Sequence, residues 1–184
     1  VKIQYGTSMC YPVSSMGSHV SVVPNHQLNR KTPLHTRANV AYFGTFGYEL
    51  DLNKLSDEEI SEVKQQITFM KEYRELIQFG TFYRLKSPFE GNETAWMTVS
   101  EDKKTALVFW YRERNVVNAD FTRVRLQGLD PDLIYRNEYN ETENYGDELM
   151  NLGLLTTDCT AGEPTSEDEP CTDYESRIYV LTAK

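Results

Sequence analysis

Near Gly80 the apolar residues of this chain stop recurring every three or four positions and begin to alternate. Upstream, Ile60, Val63, Ile67, Met70 and Ile77 fall on one stripe of a helix. Ser56 stands as its N-cap with Glu59 three residues on, a capping box, and Leu55 is placed to staple onto Ile60. The spacing predicts a helix over 57–79, with Gly80 as its stop. Downstream, residues 95–99, 105–112, 121–126, 134–139 and 176–181 read as strands, with turns at Asp102-Lys103-Lys104 and Leu129-Asp130-Pro131-Asp132. Several short strands at such spacing predict an antiparallel sheet or sandwich. A helical period and a strand period cannot serve one continuous element. The chain therefore divides into domains at 1–80 and 81–184.

The first 80 residues have their own order. Residues 19–24 form a β-branched run, and 46–52 place Phe46, Tyr48, Leu50 and Leu52 on one side. Between them, Pro33 suits the first position of a short helix reaching toward Phe43, although Val40 and Tyr42 also fit an extended segment. Strand, helix, strand, long helix is the signature of a parallel β/α layout. Two such units can neither close a sheet nor cover both of its faces, so they are expected to belong to a larger parallel structure. The chain opens on Val1 inside what reads as an element, and it is expected to be a fragment whose remainder lies upstream.

Composition narrows the partners. A formal net charge of −9 lacks the basic footprint that nucleic acid or an anionic membrane needs. No apolar run approaches the roughly 18 residues that span a bilayer, and the first residues lack a signal-peptide layout. Aromatics at 12% supply both core and sugar-stacking surface, so a small neutral ligand fits better. Three cysteines are few and odd in number, which suits a reducing compartment. Cys10 reads as a buried thiol, while Cys159 and Cys171 flank an acidic stretch that a bridge between them would close. The Asn-x-Thr triplets at Asn92 and Asn140 would matter only in a secreted eukaryotic protein.

Few residues declare a chemistry. His19, His26 and His35 lack metal-ligand spacing and read as hydrogen-bonded loop and strand-end residues. Glu49 and Asp51 share one face of a strand roughly 7 Å apart, which allows an acid and base, although a salt-bridged strand end is the plainer reading. Ser8, Ser14 and Ser15 have no nucleophile-elbow context, and no phosphate loop occurs. Residues 157–175 are dense in acids without the ligand pattern of a calcium loop, which makes them a solvated surface loop. No cofactor or metal is implied.

Longer words carry a resemblance. Ile3-Gln-Tyr-Gly-Thr-Ser8, Tyr11-Pro-Val-Ser-Ser-Met-Gly-Ser-His-Val-Ser21, Pro24-Asn-His-Gln27 and Phe43-Gly-Thr-Phe-Gly-Tyr-Glu-Leu-Asp-Leu52 closely resemble family 36 α-galactosidases. So do residues 71–85, Tyr145-Gly-Asp-Glu-Leu-Met-Asn151 and Ser176-Arg-Ile-Tyr-Val-Leu181, in order and nearly end to end. The resemblance implies α/β plus all-β architecture: the last two β/α units of a (β/α)8 TIM barrel, then a C-terminal antiparallel β-sandwich domain. Residues 19–24 and 46–52 would be the seventh and eighth barrel strands. It implies a retaining hydrolase that removes terminal α-linked galactose from melibiose, raffinose and related oligosaccharides. The family's two catalytic aspartates belong to motifs absent here, so no catalytic residue transfers. Because such barrels build their sites on loops after the strand ends, Asn25, His26, Gln27 and Asp51 are the substrate-binding candidates. The resemblance further implies a cytoplasmic homo-oligomer, often a tetramer. The competing reading is a free-standing, non-catalytic carbohydrate-binding or assembly module, against which the orphaned faces of two barrel strands argue.

Overall fold

The computed structural model of the protein describes residues 1–116, 121–156 and 173–184. The chain forms two compact units, Val1–Phe79 and Gly80–Lys184. Cys159, Cys171 and most of the acidic stretch at 157–175 lie outside the described residues. Among the described residues no helix is long and apolar enough to cross a membrane.

In the first unit, helix α1 (Lys2–Thr7) precedes strand β1 (Gly17–Ser21), helix α2 (Leu34–Ala41), strand β2 (Thr45–Glu49) and the long helix α3 (Asp57–Phe79). β1 and β2 pair in parallel, Gly17 against Thr45 through Ser21 against Glu49. Helix α1 buries only Tyr5 and carries no periodic signal long enough to read from sequence. Gln4 ties it in, its Nε2 donating to Ser18 Oγ, the Val40 carbonyl and the Phe43 carbonyl. Pro33 stands one residue before α2, as its N-cap, and the Arg37 amide donates to the Pro33 carbonyl.

α3 follows its sequence signals closely. The Glu59 amide donates to Ser56 Oγ at 3.2 Å while the Ser56 amide donates to the Glu59 carboxylate at 2.9 Å, which is the reciprocal capping box. Val63, Met70 and Ile77 are buried along the apolar stripe. The helix ends at Phe79, before Gly80, although Gly80 is not among the residues with positive φ. Gln66 is the buried polar member of the stripe, accepting from Tyr48 Oη at 2.8 Å and donating to Glu62 at 2.7 Å. Tyr42 stacks on Phe46 and meets Phe69 at a tilt, so an aromatic cluster fills the space between β2 and the helices.

Both strands stop earlier than the sequence predicts. β1 ends at Ser21, so Val22, Val23 and Pro24 belong to the following loop, where the Val23–Pro24 peptide is cis. β2 ends at Glu49 because the Asp51 side chain accepts the Asn53 amide and starts a 3-10 turn at Leu52–Lys54. Leu50 and Leu52 therefore leave the face that Phe46 and Tyr48 share. Cys10 is exposed and not buried as expected, since it sits in the turn that leaves α1.

The second unit is antiparallel. Strands β3 (Thr81–Lys86), β4 (Glu93–Val99), β5 (Thr105–Arg112), β7 (Ile134–Asn137), β8 (Glu143–Tyr145) and β10 (Glu175–Ala183) form a six-stranded sheet in the order β3-β4-β5-β10-β7-β8. β6 (Arg123–Val124) pairs with β9 (Leu154–Leu155) as a separate two-stranded piece, with helix α4 (Gly146–Asn151) just before β9. Ala95, Met97, Val108, Trp110, Tyr179 and Leu181 on one sheet face share a core with Val124, Leu126, Leu149 and Leu154. β4 and β5 are buried along nearly their whole length on both faces. That explains why they read as almost continuous apolar runs. At the edge of this core, Glu175 is shared by the guanidinium groups of Arg112 and Arg177.

Candidate functional site

The parallel pair sends two loops from its carboxyl ends, 22–33 after β1 and 50–55 after β2. Open sheets of this kind place ligands at that end. The first loop folds back on itself through Asn25. Its Oδ1 accepts the Gln27 and Leu28 amides at 3.0 and 3.1 Å, and its own amide donates to the Arg30 carbonyl at 2.9 Å. Arg37 of α2 fastens the loop to the strand: Nη1 donates to the Ser21 carbonyl at 2.6 Å and Nε to the Thr32 carbonyl at 3.0 Å. Burial lowers the Arg37 guanidinium from its ordinary pKa, against the opposing pull of Glu59 and Glu62.

These contacts leave a depression of about 260 Å³ at the end of β1, with His19, Ser21, Asn25, Thr32 and Arg37 in its wall. Of the four residues expected from sequence to bind substrate, Asn25 lines this depression. His26 and Gln27 stand exposed on the same loop, outside its wall. Asp51 is on the other loop, where Oδ1 holds both the Asn53 amide and the Asn53 side-chain amide at 3.1 Å and Oδ2 lies 3.8 Å from Lys54 Nζ.

Glu49 and Asp51 do not operate as a pair. Glu49 is the last residue of β2 and meets His19 of β1, Nε2 to Oε2, at 2.5 Å, while Asp51 has already turned into its cap. The salt-bridged strand end is thus what the structure contains. Sequence spacing did not connect His19 with Glu49, because the two are 30 positions apart and only the parallel register brings them together. Among the described residues no three His, Cys, Asp or Glu side chains converge as metal ligands.

A second groove, about 470 Å³, runs between β2 and α3 and is lined by Phe46, Tyr48, Met70, Lys71 and Arg74. Burial, with Glu62 nearby, pushes the Tyr48 phenol up to about 12. It is neutral there and serves as a donor to Gln66.

A parallel β/α unit followed by an antiparallel sheet is the architecture in which comparison with known proteins places this chain. Residues 1–80 match the family described as Melibiase, and residues 93–181 match the glycosyl hydrolase family 36 C-terminal domain. The chain belongs to glycoside hydrolase family 36. It is 54% identical over 154 residues to α-galactosidase AgaA of Geobacillus stearothermophilus, covering 84% of this chain and 21% of that protein. It is 46% identical over 181 residues to α-galactosidase 1 of Pediococcus pentosaceus, covering 98% of this chain and 23% of that one. The crystal structure of an AgaA variant in complex with raffinose superposes with a TM-score of 0.89 at 47% identity, over 99% of this chain and 24% of that one. The chain therefore spans between a fifth and a quarter of the length of these relatives.

Proposed function

We propose that this chain is the C-terminal portion of a retaining α-galactosidase that hydrolyses terminal α-linked galactose from melibiose, raffinose and related oligosaccharides. The observation that carries the reading is collinearity. The Melibiase match covers a parallel β/α unit and the family 36 C-terminal match covers the antiparallel sheet, in that order along one chain. In this reading β1 and β2 are the last two strands of a (β/α)8 barrel within 1–80. Residues 81–184 form a β-sandwich whose second layer is reduced to the β6–β9 pair. The unpaired edges of a two-stranded parallel sheet support the barrel, since such strands find full hydrogen bonding only among further strands.

The nucleophile and the acid/base are aspartates of segments other than 1–184, because neither family motif occurs here. Asn25, His26, Gln27 and Asp51 sit on the loops that rim the sugar site, with Asn25 shaping its loop through backbone contacts. The net charge of −9 suits a neutral ligand and not nucleic acid or an anionic membrane. The complete enzyme is a cytoplasmic homo-oligomer, built as a tetramer.

The test is hydrolysis of raffinose and nitrophenyl α-galactoside by the whole reading frame that encodes residues 1–184. Release of galactose with its α configuration retained, followed by proton NMR, is the expected result. No turnover, or an inverted product, overturns the reading.

A further inference from the structure

The face of β1 and β2 that bears Val20, Phe46 and Tyr48 packs toward α2 and α3. By strand alternation the opposite face carries Gly17, His19 and Ser21 from one strand and Thr45, Gly47 and Glu49 from the other. The interior of a (β/α)8 barrel is ordinarily filled by layers of branched apolar side chains. This face has none. Its small residues leave room, and its two long side chains are His19 and Glu49, which meet each other. Both are open to solvent in the chain, at 50% and 73% side-chain exposure. Glu49 lies opposite Ser21 at the carboxyl ends of both strands, and His19 also walls the depression beside the Asn25 loop. His19 engages Oε2 of Glu49, and among the described residues Oε1 has no hydrogen-bond partner.

We propose that Glu49 is a sugar-binding carboxylate of the galactoside site and that His19 is its positioning residue. The proposal rests on the reading that residues 1–80 complete an α-galactosidase barrel. A galactoside presents neutral hydroxyls, and an ionised carboxylate is an acceptor whose O–H···O⁻ bonds are roughly twice as strong as neutral ones. His19 donates to one oxygen and so fixes the plane of the carboxylate, which leaves the other oxygen to a sugar hydroxyl. A barrel wall of Gly, Ser and Thr is what lets a pyranose ring approach that oxygen. A purely structural ion pair would need no such clearance.

The experiment uses the whole reading frame and steady-state hydrolysis of nitrophenyl α-galactoside, with thermal melts of every variant. Glu49→Gln is expected to raise KM about tenfold or more, the effect of one charge-assisted hydrogen bond, while kcat changes far less. His19→Ala should raise KM in the same direction. His19→Gln, which keeps a donor near the position of Nε2, should restore it. Should Glu49→Gln not fold, Glu49→Asp carries the same expectation, because it keeps the charge and shortens the reach. An active wild type whose KM is unchanged in these variants overturns the proposal and leaves the pair a structural tie, whether or not the melting temperature falls. A wild type with no turnover removes the α-galactosidase reading itself, and the proposal with it.

Discussion

At the scale of single residues, a capping box could be read from sequence because both partners lie within one turn, whereas the partners of Tyr48, Glu49 and Gln4 come from other elements. Tyr48 shows what burial adds. Its phenol, ordinarily near 10, is pushed up to about 12, chiefly by burial and then by Glu62. Above pH ~10 the unfolded chain releases this proton while the folded chain retains it. Stability from this group is therefore complete below about pH 10 and is lost as pH rises toward the folded value. Burial raises Tyr42 and Tyr111 in the same direction, so they add to the same alkaline decline. Tyr48→Phe is expected to lower stability near neutral pH by about 1 kcal/mol, through the hydrogen bond lost to Gln66. It should also make the decline above pH 10 shallower. Urea titrations at a series of alkaline pH values measure both effects, and a slope identical to wild type would show that Tyr48 takes no part.

At the scale of elements, α3 is the part whose start, stripe and end all agree with its sequence. Ser56→Ala removes the acceptor for the Glu59 amide and is expected to cost about 1 kcal/mol. Thermal melts of the two proteins check this, and equal melting temperatures would place the effective cap elsewhere. The strands were legible in kind and less so in extent. β4 and β5 are long and doubly buried, so their apolar runs announced them. β8 and β9, with three and two residues, have too few positions for any period to show. β3 carries no alternating signal, since its residues are all half-buried or exposed. Both parallel strands are shorter than their β-propensity runs: β2 stops where Asp51 folds back to cap the next turn, and β1 stops at Ser21, whose carbonyl accepts from Arg37. A β-propensity run cannot register such a local competitor.

At the scale of the whole molecule, the 184 residues by themselves are expected to leave nitrophenyl α-galactoside unhydrolysed. Retaining hydrolysis needs two carboxyl groups roughly 5 Å apart on either side of the scissile bond. The nearest approach to such a pair in sequence, Glu49 and Asp51, is divided between an ion pair with His19 and a cap on Asn53. Neither is held as nucleophile or acid. Nitrophenol release by the purified chain is the measurement. Turnover abolished by Glu49→Gln or Asp51→Asn would make the chain an enzyme in its own right.

The sequence alone determined what depends on near neighbours: the capping box, the apolar stripe of α3, the change of period at Gly80, the principal antiparallel strands and the family words. Those signals are local, since backbone hydrogen bonding and side-chain period act over a few residues. Tertiary structure decided whatever joins residues distant along the chain. It set the parallel register that brings His19 to Glu49, placed β10 between β5 and β7, and closed the Asn25 loop with Arg37 of α2. The physical reason is that strand pairing exchanges hydrogen bonds between segments whose separation in sequence changes the loop-closure cost only slowly, so sequence distance does not select the partner. Only the packed arrangement specifies which distant polar groups meet.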